Sequence, residues 1–466
     1  MISLFLRNII LFFVICFNYL SVQGQTTFQT TIGGGGIDKT NTIIATDDNG
    51  FILAGESCNI VGGNGNAIIV KLNQSGQIGW VKTYGNAADK ESLNDLKTTS
   101  DNGYIAVGER YLSNIQGRGE VGILLKTNAS GNTQWWKEFD HHGNEAEAFS
   151  IEETADKGFV MAGMMKEIKN SSNPFFTSKN EDQHLYVLKT DKEGSSQWAG
   201  YITGSYSSKG LFIKQTKDKG FIITGHIYKT ADGSTTQICL LKLDDKGAMQ
   251  WVKIYDNVGK KEETGITVLQ TADNGFMICG TTYDAGQGEG DVFLFKTNSS
   301  GEIIWSKTFG GAKTELTKCM KPIPDGGYVI TGTSNSFGKG SNDAFLLKVD
   351  DNGIVKWFKT YGSDFYEMAS AVTIADDGFA MAGFNINSGT VDGFCIKTDK
   401  SGDNNCASNY EVKSGTFPLK IISHETIAWE FTKSSELVTL ADANGTGAAA
   451  AIITLKQLCG STSSKK

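Results

Sequence analysis

The stretch DNGFILAG (48–55) decides the fold, because seven versions of it recur along the chain. Their shared pattern is Asp-x-Gly-[Phe/Tyr]-x-x-x-Gly. Successive copies begin 51 to 62 residues apart. A recurrent spacing of about this size is typical of repeat architectures, in which each copy is one supersecondary unit. The other six copies are DNGYIAVG (101–108), DKGFVMAG (156–163), DKGFIITG (218–225), DNGFMICG (273–280), DGGYVITG (325–332) and DDGFAMAG (376–383).

A second element, Lys-x-[Asn/Asp]-x-x-Gly-x-x-x-Trp, follows each copy of the first. A seventh copy begins at Lys397 and reaches Gly402, but Cys406 stands in the place of its tryptophan. The equivalent lysines are interpreted as structural, with their stems over apolar surface and their ammonium groups in water. The periodic tryptophans are also predicted to be structural; they are Trp80, Trp135, Trp198, Trp251, Trp305 and Trp357.

Each repeat has the pattern of four strands, here named A to D. Strand A precedes the Asp-x-Gly turn, strand B is the apolar run after it, strand C is the apolar run before the lysine, and strand D carries the tryptophan. The glycines of both turns are expected to supply positive φ angles. Four short antiparallel strands repeated seven times predict an all-β, seven-bladed β-propeller over 25–406.

The two ends of the chain support closure of the ring. Repeat seven lacks strand D, and FQTTIGG (28–34) aligns with WVKTYGN (80–86), with Phe28 in the tryptophan place. We expect 28–34 to pair with the strand near 392–398, since an unclosed edge is a liability. The tail, 407–466, does not repeat. Strand-like runs at 427–432, 436–442 and 451–458 predict a small C-terminal β-appendage, with a Cys406–Cys459 disulfide as the favoured pair.

The two motifs resemble the propeller repeats of secreted and surface proteins of bacteria and archaea, notably those of Bacteroidota. The Gly-x-x-x-Trp element is also similar to the tryptophan-docking motif of quinoprotein-like propellers. That resemblance implies that the indoles pack between adjacent blades. It says little about function, because propellers carry out many functions.

Residues 1–24 are typical of a secretory signal peptide: Arg7 precedes an apolar run and small residues follow. The alternative, a membrane anchor, needs about 20 apolar residues, and Asn18 interrupts the run too early. We therefore predict a secreted or cell-surface protein without a membrane span, and we expect a monomer. The net charge of −8 gives no electrostatic drive toward nucleic acid.

An acidic residue enters strand A in six repeats, and these carboxylates are predicted to surround the mouth of the central channel. Either each one binds backbone amides of the next blade, or together they hold a cation or a polar ligand. The positions are Asp38, Glu91, Glu145, Glu263, Glu315 and Glu367.

The A–B and C–D turns lie on one face of a propeller and are uniform here; we call this the turn face. The B–C and D–A connections lie on the other, the loop face, and vary in length and charge. Uniform turns are explained by folding, whereas variable loops are free to carry function. Four of the five histidines, 141, 142, 184 and 226, fall on the loop face, with no metal-site spacing. The candidate ligand contacts are Glu145, Phe175, Phe176, His184 and His226.

These features favour a binding or scaffold propeller that contacts a protein or glycan. The alternative is a secreted propeller enzyme, a quinoprotein-like oxidoreductase or a hydrolase acting at the channel mouth. A third interpretation is an envelope-assembly scaffold. No nucleophile elbow or His-Glu-x-x-His motif occurs, so no catalytic residue, metal or cofactor is assigned.

Overall fold

The computed structural model describes residues 27–34, 36–58, 65–86, 88–112, 119–140, 145–166, 183–203, 207–229, 235–257, 261–422, 427–432, 439–442 and 454–456. Within these ranges the chain forms strands and no helix, which confirms the all-β prediction. Accordingly, no helix suited to crossing a membrane lies in the described part of the chain.

Strand β1 (Phe28–Gly33) precedes the first full repeat. Blades 1 to 4 each form one antiparallel sheet of four consecutive strands. They are β2 (Asp38–Ala45), β3 (Phe51–Ser57), β4 (Asn66–Leu72) and β5 (Ile78–Tyr84) in blade 1; β6 (Lys90–Thr98), β7 (Tyr104–Tyr111), β8 (Glu120–Thr127) and β9 (Thr133–Asp140) in blade 2; β10 (Glu145–Glu153), β11 (Phe159–Lys166), β12 (Gln183–Thr190) and β13 (Ser196–Thr203) in blade 3; β14 (Ser208–Gln215), β15 (Phe221–Tyr228), β16 (Thr236–Leu243) and β17 (Met249–Asp256) in blade 4.

Blades 5 and 6 repeat this plan, and blade 7 has three strands of its own. Strands A of neighbouring blades contact one another around the ring, so they surround the central channel. The remaining propeller strands are β18 (Glu263–Gln270), β19 (Phe276–Thr282), β20 (Asp291–Thr297) and β21 (Ile303–Gly310) in blade 5; β22 (Glu315–Pro322), β23 (Tyr328–Ser334), β24 (Asp343–Val349) and β25 (Val355–Tyr361) in blade 6; β26 (Tyr366–Ala375), β27 (Gly378–Asn387) and β28 (Thr390–Asp399) in blade 7.

Strand β1 closes the ring by pairing antiparallel with β28, with Phe28 opposite Lys397 and Ile32 opposite Gly393. The predicted closure is therefore confirmed. Phe28 also takes the tryptophan place. A Cβ atom added to Gly76 of blade 1 would lie 2.5 Å from its ring, so the ring packs on that turn.

The tail forms an outer strap, a series of short strands on the outside of the ring. Each strand pairs antiparallel with the outermost strand of one blade, and successive strands visit blades 6, 5, 4, 3, 2 and 7. The β-rich tail was predicted, but its distribution as fifth strands was not. The strap strands are β29 (Ala407–Tyr410), β30 (Lys413–Thr416), β31 (Lys420–Ile422), β32 (Ala428–Thr432), β33 (Thr439–Asp442) and β34 (Thr454–Lys456).

Cys406, at the start of the strap, is disulfide-bonded. Cys459 lies outside the described residues, so the Cys406–Cys459 pair stays a prediction. Four other described cysteines are buried free thiols, and a fifth, Cys58, is half-buried; the four are Cys239, Cys279, Cys319 and Cys395.

The repeat tryptophans join adjacent blades. A Cβ atom added to Gly131 of blade 2 would lie 2.7 Å from Trp80 of blade 1, and Gly402 of blade 7 has the same relation to Trp357 of blade 6. Trp198 lies 5.7 Å from the ring of Phe221 in the following blade, measured between centroids. Each hydrophobic cluster of the core is likewise shared between blades, so the ring is stabilised blade against blade.

The lysine of the second motif binds the aspartate turn of the first. In six blades its ammonium group lies 2.5–2.9 Å from a turn carboxylate. The lysines are thus structural, but they are ion-paired rather than left in water, because strand C ends beside the A–B turn. The pairs are Lys71–Asp48, Lys126–Asp101, Lys189–Asp156, Lys242–Asp218, Lys296–Asp273 and Lys397–Asp377.

The positive φ predicted for the Asp-x-Gly glycine occurs in blade 6, at Gly327, but in five other blades it belongs to the residue before the glycine, so for those blades the prediction was wrong. In blade 1 the positive φ of 59° belongs to Asn49, the residue before Gly50. Gly50 is required instead by close approach, since a Cβ atom there would lie 2.4 Å from the carbonyl oxygen of Leu72. The glycine of the C–D turn does adopt the predicted left-handed conformation, with φ 78° at Gly76.

Candidate functional site

The acidic residues that enter strand A are buried rather than open to the channel mouth. Glu91, Glu263 and Glu315 have no exposed surface, and Asp38 and Glu367 are nearly as buried. Several of them accept hydrogen bonds from backbone amides of the connection that enters the blade, not from amides of the next blade, whereas Glu263 accepts one from the Thr282 hydroxyl of its own blade. Glu315 accepts a hydrogen bond of 2.7 Å from the Gly311 amide, and Asp38 accepts one of 3.2 Å from the Gly34 amide. These carboxyl groups therefore hold the D–A connections in place.

Burial raises the pKa of carboxyl groups of this set, among them Glu91 and Glu263. Desolvation raises the pKa of Glu91 to about 7 and that of Glu263 to about 8, because a buried carboxyl group resists ionisation.

Glu145 lies outside this set. Strand pairing in blade 3 has a bulge between Ala148 and Ser150, and the equivalent bulge in blade 2 lies between Leu93 and Asp95. Counting back from each bulge places Ala146, not Glu145, at the position of Glu91. Glu145 instead accepts a hydrogen bond of 3.0 Å from the Gly119 amide and pairs with Lys166 at 2.9 Å. A single sequence does not reveal this offset of one residue.

The predicted ligand contacts are not all brought together. The ring of His184 lies 2.9 Å from the carbonyl oxygen of Ile202. His226 is buried, and neither of its ring nitrogens has a hydrogen-bond partner among the described residues. Burial, together with Lys209, lowers the pKa of His226 to about 3, so this side chain is neutral. Phe175 and Phe176 lie outside the described residues, as do His141 and His142.

A group of charged side chains occupies the loop-face end of the channel in blades 1 to 4. This group was not predicted from the sequence. We call it the channel cluster. Glu56 binds Lys39 and Lys90, each at 3.0 Å. Glu147 shares a hydrogen bond with Glu120 and interacts with Glu109 and Lys209. The cluster consists of Glu56, Glu109, Glu120 and Glu147 with Lys39, Lys90 and Lys209.

The channel cluster is held by the repeat itself. Glu56, Glu109 and His226 each follow the last glycine of the first motif, and Lys39 and Lys209 lie opposite Glu56 and His226 in the register of strands A and B. The residue after the last motif glycine is apolar or neutral in blades 5 to 7. The available signal was therefore a titratable residue directly after the motif glycine, which occurs in blades 1, 2 and 4 only.

Two carboxyl groups of the channel cluster, Glu109 and Glu147, have raised pKa values. Desolvation raises the pKa of Glu109 to about 7. Burial and the neighbouring Glu120 raise the pKa of Glu147 further, because two close carboxyl groups resist double ionisation. Such groups are candidates for a functional site. No set of three or more side chains suited to holding a metal occurs in the described ranges.

Comparison with known proteins assigns this chain to no family. No family model matches the sequence, and no curated protein matches it. Among solved structures, Kuenenia stuttgartiensis hydrazine synthase is similar over 78% of this chain and 96% of that chain, at 11% identity and a TM-score of 0.49. Phage phi92 endosialidase is similar over 83% of this chain and 71% of that chain, at 9% identity and a TM-score of 0.41. At these identities and TM-scores neither likeness carries an argument about this chain.

Proposed function

We propose that this propeller is an extracytoplasmic binding or scaffold protein whose loop face contacts a protein or glycan partner over the channel cluster. The observation that carries the proposal is the gathering of four carboxyl groups at the loop-face end of blades 1 to 3. The turn face is explained by folding, since its motif aspartates and lysines bind each other. The extracytoplasmic location rests on residues 1–24.

The chemistry of the cluster suits such partners. Ionised carboxylates accept hydrogen bonds from sugar hydroxyl groups and pair with lysine or arginine side chains. Protonated carboxyl groups, which the raised pKa values of Glu109 and Glu147 provide, also donate. The predicted aromatic contacts Phe175 and Phe176 belong to the B–C connection of blade 3, the blade that supplies Glu147.

The experiment begins with a glycan array and with co-purification from the native envelope. Once a partner is known, we expect the Glu147→Ala variant and the Phe175→Ala/Phe176→Ala variant to weaken binding while the melting temperature stays near that of the wild type. Lys246→Ala, on an exposed turn of the turn face, is the matched control. Unchanged affinity in both loop-face variants, with loss in turn-face variants, would overturn the proposal.

The raised pKa values also favour one alternative, a hydrolase acting at the channel mouth. Glycosidases use two carboxyl groups about 5–10 Å apart, one of them protonated, and the raised pKa of Glu147 suits that side chain to the protonated role. If array glycans are cleaved and Glu147→Gln abolishes cleavage while retaining binding, the enzyme interpretation replaces the binding one.

A further inference from the structure

Blades 6 and 7 depart from the repeat at their A–B turns. In blades 1 to 5 a threonine two positions before the motif aspartate donates a hydrogen bond to it, as Thr46 does to Asp48 at 2.5 Å. In blades 6 and 7 an isoleucine takes the place of this threonine, at Ile323 and Ile374. The motif aspartates of these two blades therefore lack the hydroxyl group that fixes the other five.

Three charged side chains of the two motifs remain unpaired at these turns. Asp325 of blade 6 and Asp376 of blade 7 form neither an ion pair nor a side-chain hydrogen bond with any described residue. The motif lysine of blade 7 pairs with Asp377 instead. Lys348, the motif lysine of blade 6, likewise has no carboxylate partner among the residues described. Its ammonium group lies 5.9 Å from the centroid of the Phe379 ring in blade 7, a distance at which an aromatic face attracts a cation.

The three unpaired side chains line one cavity between the A–B turns of blades 6 and 7. Its volume is about 260 Å³, and both isoleucines and Phe379 also line it. Lys400, from the C–D turn of blade 7, adds a second ammonium group. A cavity of about 150 Å³ is large enough to bind benzene, so this one has room for a small organic molecule.

The neighbouring cavity, between blades 7 and 1, shows the ordinary form of the repeat. Thr46 lines it in place of an isoleucine, and its motif lysine is Lys397. This lysine binds Asp377, which lines the same cavity. The charge of the motif lysine is thus neutralised within blade 7, whereas that of Lys348 is left for an external partner.

The cavity between blades 6 and 7 presents both signs of charge beside apolar side chains. A simple anion there would be repelled by Asp325 and Asp376, and a simple cation would be repelled by Lys348 and Lys400, because charges interact more strongly where protein displaces part of the solvent. A zwitterion satisfies both pairs. Its apolar part would lie against the isoleucine and phenylalanine side chains, as is usual for small-molecule sites.

We propose that this cavity binds a free α-amino acid with an apolar side chain. Its carboxylate would accept hydrogen bonds from Lys348 and Lys400, and its ammonium group would donate to Asp325 and Asp376. Charge-assisted hydrogen bonds of this kind are stronger than those between neutral groups. The cavity lies on the turn face, so it is independent of the partner proposed for the loop face.

Calorimetric titration of the full chain at constant ionic strength tests the site. The probes are L-leucine and L-phenylalanine, each compared with its N-acetyl form, which lacks the ammonium group, and its amide form, which lacks the carboxylate. We expect saturable binding of at least one free amino acid. Each blocked form of that amino acid should bind roughly tenfold or more weakly, because it loses a hydrogen bond between charged groups.

Two variants connect this binding to the cavity. Lys348→Gln should weaken binding roughly tenfold or more, whereas Lys246→Gln, at an exposed lysine of another turn on the same face, is the matched control and should not. Ile323→Thr/Ile374→Thr restores the threonine of the other five blades. We expect it to weaken binding as well, because the aspartates then bind their own turns, and to keep a cooperative unfolding transition.

Absence of saturable binding with both free amino acids would overturn the site, as would equal affinity for a free amino acid and either of its blocked forms. An equal loss in Lys246→Gln would show general charge attraction instead of a site. The threonine variant keeps the test decisive if Lys348→Gln does not fold, since wild-type affinity in the threonine variant contradicts the assignment.

Discussion

Trp198 is the most buried of the six repeat tryptophans, with 6% of its surface exposed. It packs on Phe221 of the next blade, so it contributes to an interface rather than to the interior of one sheet. We expect Trp198→Ala to lower the free energy of unfolding by about 3–5 kcal/mol, through the cavity left between blades 3 and 4. Denaturant melts measure this.

Ile304 provides the control, because it lies on strand D but is 54% exposed. Ile304→Ala should change stability by no more than roughly 0.5 kcal/mol. Equal effects of the two substitutions would show that the indole does not join the blades.

The buried carboxyl group of Glu263 makes stability depend on pH. Its pKa rises from the ordinary value of 4.5 to about 8 in the folded protein. Between these values the folded state binds more protons than the unfolded state, so unfolding becomes easier as pH rises. The favourable contribution of this carboxyl group to the free energy of unfolding is complete below about pH 4.5 and is lost as pH rises through about 8.

Glu263→Gln should remove this dependence. We expect the variant to gain at least about 2 kcal/mol relative to the wild type between pH 5 and pH 8, since one pKa unit corresponds to about 1.4 kcal/mol. Melts at several pH values measure the difference. A constant difference across this range would mean that Glu263 is ionised throughout.

At the residue scale, the roles of residues that recur in every repeat were predictable from the sequence, whereas the roles of residues that occur once were not. The tryptophan positions follow from the period alone. The pairing of the motif lysine with the turn aspartate did not follow, because it depends on which strand ends beside which turn. The offset of Glu145 and the convergence of the channel cluster depend on strand register and on contacts between blades, neither of which one sequence displays.

Strand β1 is the element on which ring closure depends. It supplies strand D of blade 7, and it also pairs with β34 of the strap. Deletion of residues 25–36 should therefore lower the melting temperature of the whole propeller and broaden its transition, because blade 7 would lose its outer strand and its contact with blade 1. Calorimetry measures the effect by comparing the deleted chain with the full chain, both secreted in matched amounts. A sharp transition at the wild-type temperature would contradict the shared-strand closure.

The pairing of the strap strands could not be predicted from the sequence, for a physical reason. Its strands are three to five residues long, too short for a periodic pattern to stand out. They are stabilised by pairing with an edge that is already formed, so their positions depend on the propeller and not on the tail. The sequence indicated the later strands of the tail but not their partners.

At the scale of the whole molecule, the two ends of the channel carry different charged side chains. Blades 1 to 3 place carboxyl groups at the loop-face end, whereas strand A of blades 2, 4 and 6 carries Lys97, Lys214 and Lys321 toward the turn face. The repeat that builds the scaffold leaves a few positions per blade unconstrained, and those positions face the channel. Function is therefore expected to vary with channel side chains and loops while the blade architecture stays constant.

The strap protects the outer edges of the ring, and its removal is the final prediction. An unpaired outermost strand presents free amide and carbonyl groups, which is a template for pairing with another molecule. Six blades have that edge covered by strap strands, so a chain that ends at Cys406 exposes six such edges at once. We expect this chain to keep its seven blades but to form concentration-dependent oligomers, which light scattering and size-exclusion chromatography detect. A chain that ends at Lys456 keeps every strap strand and also lacks Cys459, so it separates the loss of the edges from the loss of a disulfide, and it should remain unassociated. If the chain that ends at Cys406 stays monodisperse at every concentration where the longer chain does, the strap does not serve as edge protection.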